Sequence, residues 1–134
     1  MINVALFGFG RIGQMHAENL TKNKEIKLLY VYEKIDQLSS KAKKLYGCKI
    51  EKNYNKIFND KKVDIVFISS PTNTHIKFIE EGMKRKKTIF CEKPLDLNIN
   101  KIIKTLKKVK KLKPKIQLGF NRRYDPGHFS LKKD

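Results

Sequence analysis

The length, composition and charge of the chain already exclude several classes of protein. Of its 134 residues, 40% are hydrophobic, and 31 Lys or Arg against 13 Asp or Glu give a formal net charge of +18 at pH 7. This length suits one domain with a real core, which argues against disorder. No apolar run approaches the ~20 residues needed to cross a bilayer, and the apolar start lacks a basic leader. We therefore expect neither a membrane span nor a signal peptide.

The cysteines and the lysines argue against two further kinds of site. Cys48 and Cys91 belong to no Cys-x-x-Cys motif or Cys/His cluster, so no disulfide framework and no metal site are expected. A cytoplasmic protein is expected, because that compartment is reducing. The densest lysine run, residues 101–111, alternates with apolar residues in a helical pattern and so predicts the solvated face of an amphipathic helix. The apolar face of this helix is expected to consist of Ile99, Ile102, Ile103, Leu106 and Val109.

Apolar runs with the length of strands alternate along the chain with segments of helical period. The strand candidates are residues 2–7, 27–32, 48–50, 63–68, 88–91 and 115–118. The helical stripes before the lysine-rich segment are Ile12, Met15 and Leu20, then Leu38, Ala42 and Leu45, then Ile76, Ile79 and Met83. Such alternation predicts an α/β fold with a doubly wound parallel sheet, a Rossmann domain. No further element is expected to be completed after residue 119.

Three glycines in the pattern G-x-G-x-x-G follow the first predicted strand and open the first helical segment. Gly8 is expected to take the tight turn, Gly10 to let the backbone approach a pyrophosphate, and Gly13 to let helix and strand pack closely. The free N–H groups at the helix start, around Arg11 and Ile12, favour an anion. A glycine-rich turn without a ligand is the alternative.

An acidic residue follows the second predicted strand. Glu33 stands about 20 residues after Gly13, where such a carboxylate accepts hydrogen bonds from the ribose of an adenosine. It would repel an added 2′-phosphate by about 4 kcal/mol at about 4 Å with an effective dielectric near 20. NAD is therefore favoured over NADP, although the neighbouring Lys34 softens this preference. A solvated residue at a strand end is the alternative for Glu33.

Two polar turns follow the next two long strand candidates, and both leave the carboxyl edge where open α/β sheets bind ligands. The first is residues 69–75, in which His75 either contacts a ribose or begins a helix on an exposed face. The second contains Glu92 and Lys93, and the lysine is constrained between an acid and a proline. A surface pair of Glu92 and Lys93 is the alternative. Cys91, just before this turn, is expected to be a small buried hydrophobe and not a nucleophile.

Four motifs together resemble a known family. They are the glycine turn at 8–13, Pro-Thr-Asn-Thr-His at 71–75, Glu-Lys-Pro at 92–94 and Gly-Phe-Asn-Arg-Arg-Tyr-Asp-Pro at 119–126. In this order they resemble the glucose-fructose oxidoreductase and inositol dehydrogenase family, and within it most of all the inositol 2-dehydrogenases. The resemblance covers essentially the whole chain.

The resemblance implies a two-domain nicotinamide-dependent dehydrogenase. Residues 1–119 would be its NAD(P)-binding Rossmann domain, and residues 120–134 would begin the connection to a C-terminal substrate domain that this chain lacks. Lys93 would assist the transfer as a catalytic residue. The residues implied to line the nicotinamide side of the cofactor are Ser70, Pro71, Thr72, Asn73, His75 and Glu92. The residues implied to lie near the substrate are Asn121, Arg122 and Arg123.

The expected function is therefore the cofactor-binding part of an NAD-dependent oxidoreductase acting on a cyclic polyol or sugar. The family's catalytic aspartate and histidine belong to the second domain, so the isolated chain is expected to bind NAD and to turn over inositol poorly. Because family members associate through that domain, oligomerisation is not inferable. A non-catalytic dinucleotide-binding module is the alternative, and a basic nucleic-acid-binding protein is the less favoured one.

Overall fold

A single parallel sheet carries the carboxyl edge at which the predicted site residues meet. The computed structural model describes residues 1–131. Within that range the sheet has six strands in the order β3-β2-β1-β4-β5-β6, and every neighbouring pair is parallel. The strands are β1 (Ile2–Phe7), β2 (Ile26–Tyr32), β3 (Lys49–Ile50), β4 (Ile65–Ile68), β5 (Thr88–Cys91) and β6 (Ile116–Leu118). The order reverses at β1, which confirms the predicted doubly wound sheet.

Helices connect these strands, as the alternating pattern predicts. They are α1 (Arg11–Lys22), α2 (Asp36–Tyr46), α3 (Tyr54–Asn59), α4 (His75–Lys84), α5 (Ile99–Leu112) and α6 (Pro126–Leu131). Two of them, α3 and α6, are absent from the sequence prediction, so the expectation that no element is completed after residue 119 was wrong. Each spans six residues, too few for a helical period to show. Residues 132–134, the last of the predicted connection, lie outside the described residues.

The core has two layers, one on each face of the sheet. One layer packs α3 and α4 on the central strands and includes Phe7, Phe58 and Phe78. The other packs α1 and α2 on β1 and β2 through Ala17 and Ala42, whose small side chains let the helices lie close to the strands. None of the helices described between residues 1 and 131 has the length and apolar character to span a bilayer.

The lysine-rich helix α5 is amphipathic, with a narrower apolar face than predicted. Ile102 and Val109 pack against the core, and Thr105 between them is buried. Ile99, Ile103 and Leu106, also predicted for that face, are 64%, 46% and 50% exposed. The lysines lie on the solvent side, with Lys108 pairing with Glu80 of α4 at 2.7 Å. The lysine run therefore forms a solvated helix surface, as its spacing predicts.

Candidate functional site

The predicted site residues meet at the carboxyl edge of β1, β2, β4 and β5. The ends of these strands are in register, with Phe7 opposite both Tyr32 and Ile68, and Ile68 opposite Cys91. The turns after them surround a cavity of about 620 Å³. The predicted site residues that line it are Gly8, Gly10, Arg11, Ile12, Glu33, Ser70, Pro71, Thr72, His75, Glu92, Lys93 and Asn121. Those outside its lining are Gly13, Asn73, Arg122 and Arg123.

The three glycines of the first turn have three different surroundings. Gly8 has a φ of +91°, a conformation that L side chains rarely adopt. A Cβ on Gly13 would lie 2.1 Å from the carbonyl oxygen of Gly8, so only glycine lets α1 approach the turn this closely. A Cβ on Gly10, in contrast, would meet no described atom within 4 Å. Gly8 and Gly13 are required by the fold, whereas Gly10 borders open space above the turn.

The start of α1 faces that open space with its backbone donors free of side-chain caps. Gly10 is the N-cap residue, and no side chain of the described residues accepts a hydrogen bond from the first turn. The first N–H groups of a helix have no partner within the helix, and the dipole adds positive character at this end. The turn and the helix start therefore fit an anionic group such as a pyrophosphate.

Glu33 is held directly against the glycine turn. Its Oε2 accepts a hydrogen bond from the backbone N–H of Phe9 at 2.8 Å, and its Oε1 accepts one from the backbone N–H of Ile35 at 2.9 Å. Each carboxylate oxygen retains a further lone pair for a ligand hydroxyl. The structure therefore places the acid that follows β2 beside the glycines, and the alternative of a merely solvated residue was wrong.

The turn after β4 is ordered by its own side chains. The hydroxyls of Ser70 and Thr74 lie 2.7 Å apart, and Thr74 Oγ1 also donates to the carbonyl of Pro71 at 2.6 Å. A 3₁₀ helix at Thr72–Thr74 leads into α4. His75 begins α4 and is only 2% exposed, so the alternative of a histidine on an exposed helix face was wrong. Asn73 is exposed and does not line the cavity.

The turn after β5 presents Lys93 to the cavity. Glu92 pairs with His16 of α1, whose Nε2 lies 2.7 Å from Glu92 Oε1, so the alternative of a Glu92–Lys93 surface pair was wrong. The other carboxylate oxygen of Glu92 accepts a hydrogen bond from the backbone N–H of Lys93 at 3.2 Å. The Lys93–Pro94 peptide bond is cis. Lys93 is exposed, and no residue between 1 and 131 forms an ion pair or hydrogen bond with its Nζ atom.

The segment after β6 contributes one residue to the cavity. Asn121 lines it at the start of a 3₁₀ helix, Asn121–Tyr124. Arg123 lies in a separate cavity with Tyr124, Pro126, Phe129 and Ser130. The structure thus joins Asn121 to the predicted site and does not join the two arginines to it.

Sequence reasoning missed several residues of this edge. The unpredicted residues that line the cavity are Met15, Ile35 and Leu38, whereas Ser69, also in the lining, belongs to the predicted turn 69–75. His16, which contacts Glu92, was also missed. One signal was available, because His16 follows Gly13 by one helical turn and therefore lies on the same side of α1 as the glycine that contacts the strand turn.

The described cysteines are buried, and both should resist alkylation in the native protein. Burial, reinforced by the charge of Glu92, raises the pKa of the Cys91 thiol to about 12, and burial also raises the pKa of Cys48. At pH 8 only about one Cys91 in ten thousand is then the reactive thiolate. We expect iodoacetamide at pH 8 to modify neither cysteine in native protein and both in urea, as counted by mass spectrometry. Fast modification of Cys91 in the native protein would contradict this expectation.

No group of three or more His, Cys, Asp or Glu side chains within residues 1–131 is arranged to hold a metal ion.

The doubly wound sheet and the glycine turn at its switch point define a dinucleotide-binding Rossmann domain. The oxidoreductase family with an NAD-binding Rossmann fold (GFO/IDH/MocA) matches residues 2–120, and the chain belongs to this family. This finding confirms the resemblance drawn from the motifs.

Several of the similar proteins are inositol dehydrogenases. The inositol 2-dehydrogenase of Rhizobium meliloti is 35% identical over 132 residues, and the myo-inositol 2-dehydrogenase of Thermotoga maritima is 37% identical over 133 residues. Each match covers 98% of this chain and 40% of the relative. A crystal structure of scyllo-inositol dehydrogenase from Lactobacillus casei, with bound NAD(H) and scyllo-inositol, has a TM-score of 0.90 at 32% identity, covering 99% of this chain and 40% of that one. The chain therefore spans 40% of the length of these relatives.

Proposed function

We propose that this chain is the cofactor-binding part of a cytoplasmic, NAD-dependent oxidoreductase that transfers hydride between nicotinamide and a cyclic polyol or sugar. The observation that carries the proposal is the open space above Gly10, beside an uncapped helix start and next to Glu33. This combination leaves room for a diphosphate and supplies both the backbone donors and the carboxylate that a dinucleotide needs. The inositol dehydrogenases among the relatives support the substrate class.

The residues at the edge divide between the two ends of the cofactor. Gly8, Gly10 and the helix start around Arg11 would hold the pyrophosphate, and Glu33 would hold the ribose of the adenosine. The residues on the nicotinamide side would be Ser70, Pro71, Thr72, Asn73, His75 and Glu92. When bound, NAD supplies the hydride acceptor of the reaction.

Lys93 is the residue we assign to the reacting end. Its amine is exposed at the cavity and forms no ion pair or hydrogen bond with the described part of the chain, so its donors are available to a substrate oxygen. A hydrogen bond from an ammonium group favours negative charge on that oxygen and so assists removal of the hydroxyl proton. Asn121, which lines the same cavity, would lie on the substrate side.

Binding of the cofactor is the direct test of this function. We expect calorimetric titration of this chain with NAD or NADH to show one saturable site, and we expect slow inositol-dependent NADH formation by the chain alone. The described carboxylates of the cavity, Glu33 and Glu92, are both engaged within the protein, and so are poorly placed to act as the general base. If the folded protein showed no heat of binding on titration with NAD, the binding proposal would be overturned. Rapid NADH production from inositol by the chain alone would overturn the expected inactivity.

Replacing Glu33 should change the choice between NAD and NADP. Glu33→Gln removes the charge that repels a 2′-phosphate and one of two acceptors at the ribose, so we expect NAD affinity to fall about tenfold. The ratio of NAD affinity to NADP affinity should fall by more than that, because the repulsion is relieved at the same time. Calorimetry with both cofactors measures the ratio.

Glu25→Gln is the matched control for this change. Glu25 is exposed and immediately precedes β2, at the opposite end of the strand from Glu33. Glu25→Gln changes the net charge by the same amount as Glu33→Gln. Because Glu25 lies far from the glycine turn, Glu25→Gln should leave the ratio of NAD affinity to NADP affinity unaltered. An unchanged ratio in Glu33→Gln would exclude Glu33 from the cofactor site.

A further inference from the structure

The turn that carries Lys93 is joined to the rest of the site by two histidines, one on each side. The Lys93 side chain forms no hydrogen bond or ion pair with residues 1–131 that would hold its position. Its two neighbours are held by hydrogen bonds, the Glu92 carboxylate to His16 and the backbone carbonyl of Pro94 to His75. The position of the lysine therefore depends on the contacts of its two chain neighbours.

His16 fixes the first side of the turn. It lies on α1, one helical turn beyond Gly13, and its Nε2 is 2.7 Å from Glu92 Oε1. The two side chains are only 15% and 18% exposed, so water competes little for this hydrogen bond. The imidazole also packs against Phe67, with ring centroids 4.6 Å apart, and Phe67 stacks on Phe90 at 4.1 Å. These aromatic contacts set the direction in which the ring points.

Glu92 has little freedom to leave this contact. A Cβ on Gly119 would lie 3.1 Å from the Cδ and Oε2 atoms of Glu92, so the carboxylate already packs closely against that backbone. Its Oε2 accepts from the backbone N–H of Lys93 at 3.2 Å. The carboxylate thus connects the helix of the glycine turn to the backbone of the lysine.

His75 fixes the second side. Its Nδ1 lies 2.8 Å from the carbonyl oxygen of Pro94, and its Nε2 lies 2.8 Å from the carbonyl oxygen of Ser70. Carbonyl oxygens only accept, so a ring N–H of His75 donates to the carbonyl that it faces, and the tautomer decides which of the two nitrogens carries that proton. The ring therefore joins the turn after β4 to the turn after β5, and at 2% exposure it does so out of reach of solvent.

We propose that His16 and His75 are positioning residues that hold the Lys93 turn at the nicotinamide end of the cofactor site. This inference rests on the proposed function. It assigns both imidazole rings the role of holding the turn that faces the nicotinamide half of the cofactor. Loosening either contact should weaken binding of the nicotinamide half. The adenosine half, held by the glycine turn and Glu33, should be bound as before.

The test compares NADH with ADP-ribose, which lacks the nicotinamide, on the purified chain. His16→Phe keeps an aromatic ring against Phe67 and removes the hydrogen bond to Glu92. We expect it to weaken NADH binding about tenfold and to reduce the fluorescence gain of bound NADH, with ADP-ribose affinity unchanged. His16→Gln, which retains an N–H donor, should recover part of the loss. His128→Phe, at a half-exposed histidine outside the cavity lining, should change nothing.

A second pair of variants tests His75 by the same titrations. The side-chain amide of Asn reaches about as far as Nδ1 of a histidine, and that of Gln about as far as Nε2. His75→Asn can therefore keep the contact with Pro94, and His75→Gln can keep only the contact with Ser70. We expect NADH to bind more tightly to His75→Asn than to His75→Gln.

The outcomes separate this inference from the proposed function. Wild-type chain that binds no NADH would overturn both. Wild-type chain that binds NADH, together with a His16→Phe variant of equal NADH affinity, would overturn the positioning role alone. An equal loss of NADH and ADP-ribose affinity in His16→Phe would also overturn it, because that pattern marks a general disturbance of the fold. Circular dichroism of every variant accompanies the titrations.

Discussion

Gly10→Val should abolish NAD binding, with a loss of at least about a hundredfold in affinity, while the protein remains folded. Gly10 has a φ of −69°, which valine adopts without strain, and a Cβ there meets no described atom within 4 Å. The added methyl groups would instead occupy the space above the glycine turn. A diphosphate could then no longer approach the backbone N–H groups at the start of α1.

Calorimetric titration with NAD measures the loss of binding. Thermal unfolding followed by circular dichroism shows whether the protein remains folded. Valine is a poorer N-cap residue than glycine, so a loss of up to about 1 kcal/mol of stability is compatible with it. Gly127→Val, which adds the same side chain at an exposed glycine of α6, is the matched control and should bind NAD normally. NAD affinity that survives in Gly10→Val would remove the glycine turn from the cofactor site. Lysine-driven binding to DNA, which is strongly salt-dependent, should be insensitive to this variant.

Gly13→Ala should destabilise the fold itself. The new Cβ would lie 2.1 Å from the carbonyl oxygen and 2.9 Å from the carbonyl carbon of Gly8, and both are backbone atoms that cannot rotate away. Overpacking of this kind costs about 1–3 kcal/mol and sometimes more, and the better helix propensity of alanine returns about 1 kcal/mol. Because the contact here is with backbone, we expect the cost to reach at least the top of that range, which leaves a net loss of at least about 2 kcal/mol in the free energy of unfolding.

Urea unfolding followed by circular dichroism measures this loss, and Gly10→Ala is its matched control. The control makes the same substitution three residues away in the same turn, at a position where nothing described obstructs a Cβ. It should stay within about 1 kcal/mol of the wild type. If Gly13→Ala proved as stable as Gly10→Ala, the close approach of α1 to the first turn would not be a requirement of the fold.

The sheet was predictable because parallel strands buried on both faces produce continuous apolar runs. Residues 2–7 match β1 at both ends. The prediction for β4 began too early, since Val63 is buried but its N–H donates to Asp60 in a turn and not to a neighbouring strand. The helix α3 was missed because six residues carry too little periodicity, although Asn53 caps it with a hydrogen bond to Asn55 N.

The sequence by itself determined which chemical groups reach the carboxyl edge of the sheet. Gly8 and Glu33 follow a strand directly, Gly10 and Lys93 lie in the turns after strands, and the strand direction then places these groups at that edge. Only the tertiary structure decided how these groups are held. The pairing of His16 with Glu92 joins residues far apart in the chain, and the burial of His75 follows from the meeting of two separate turns. Such contacts depend on the packing of helices against the sheet, which local patterns of residues do not encode.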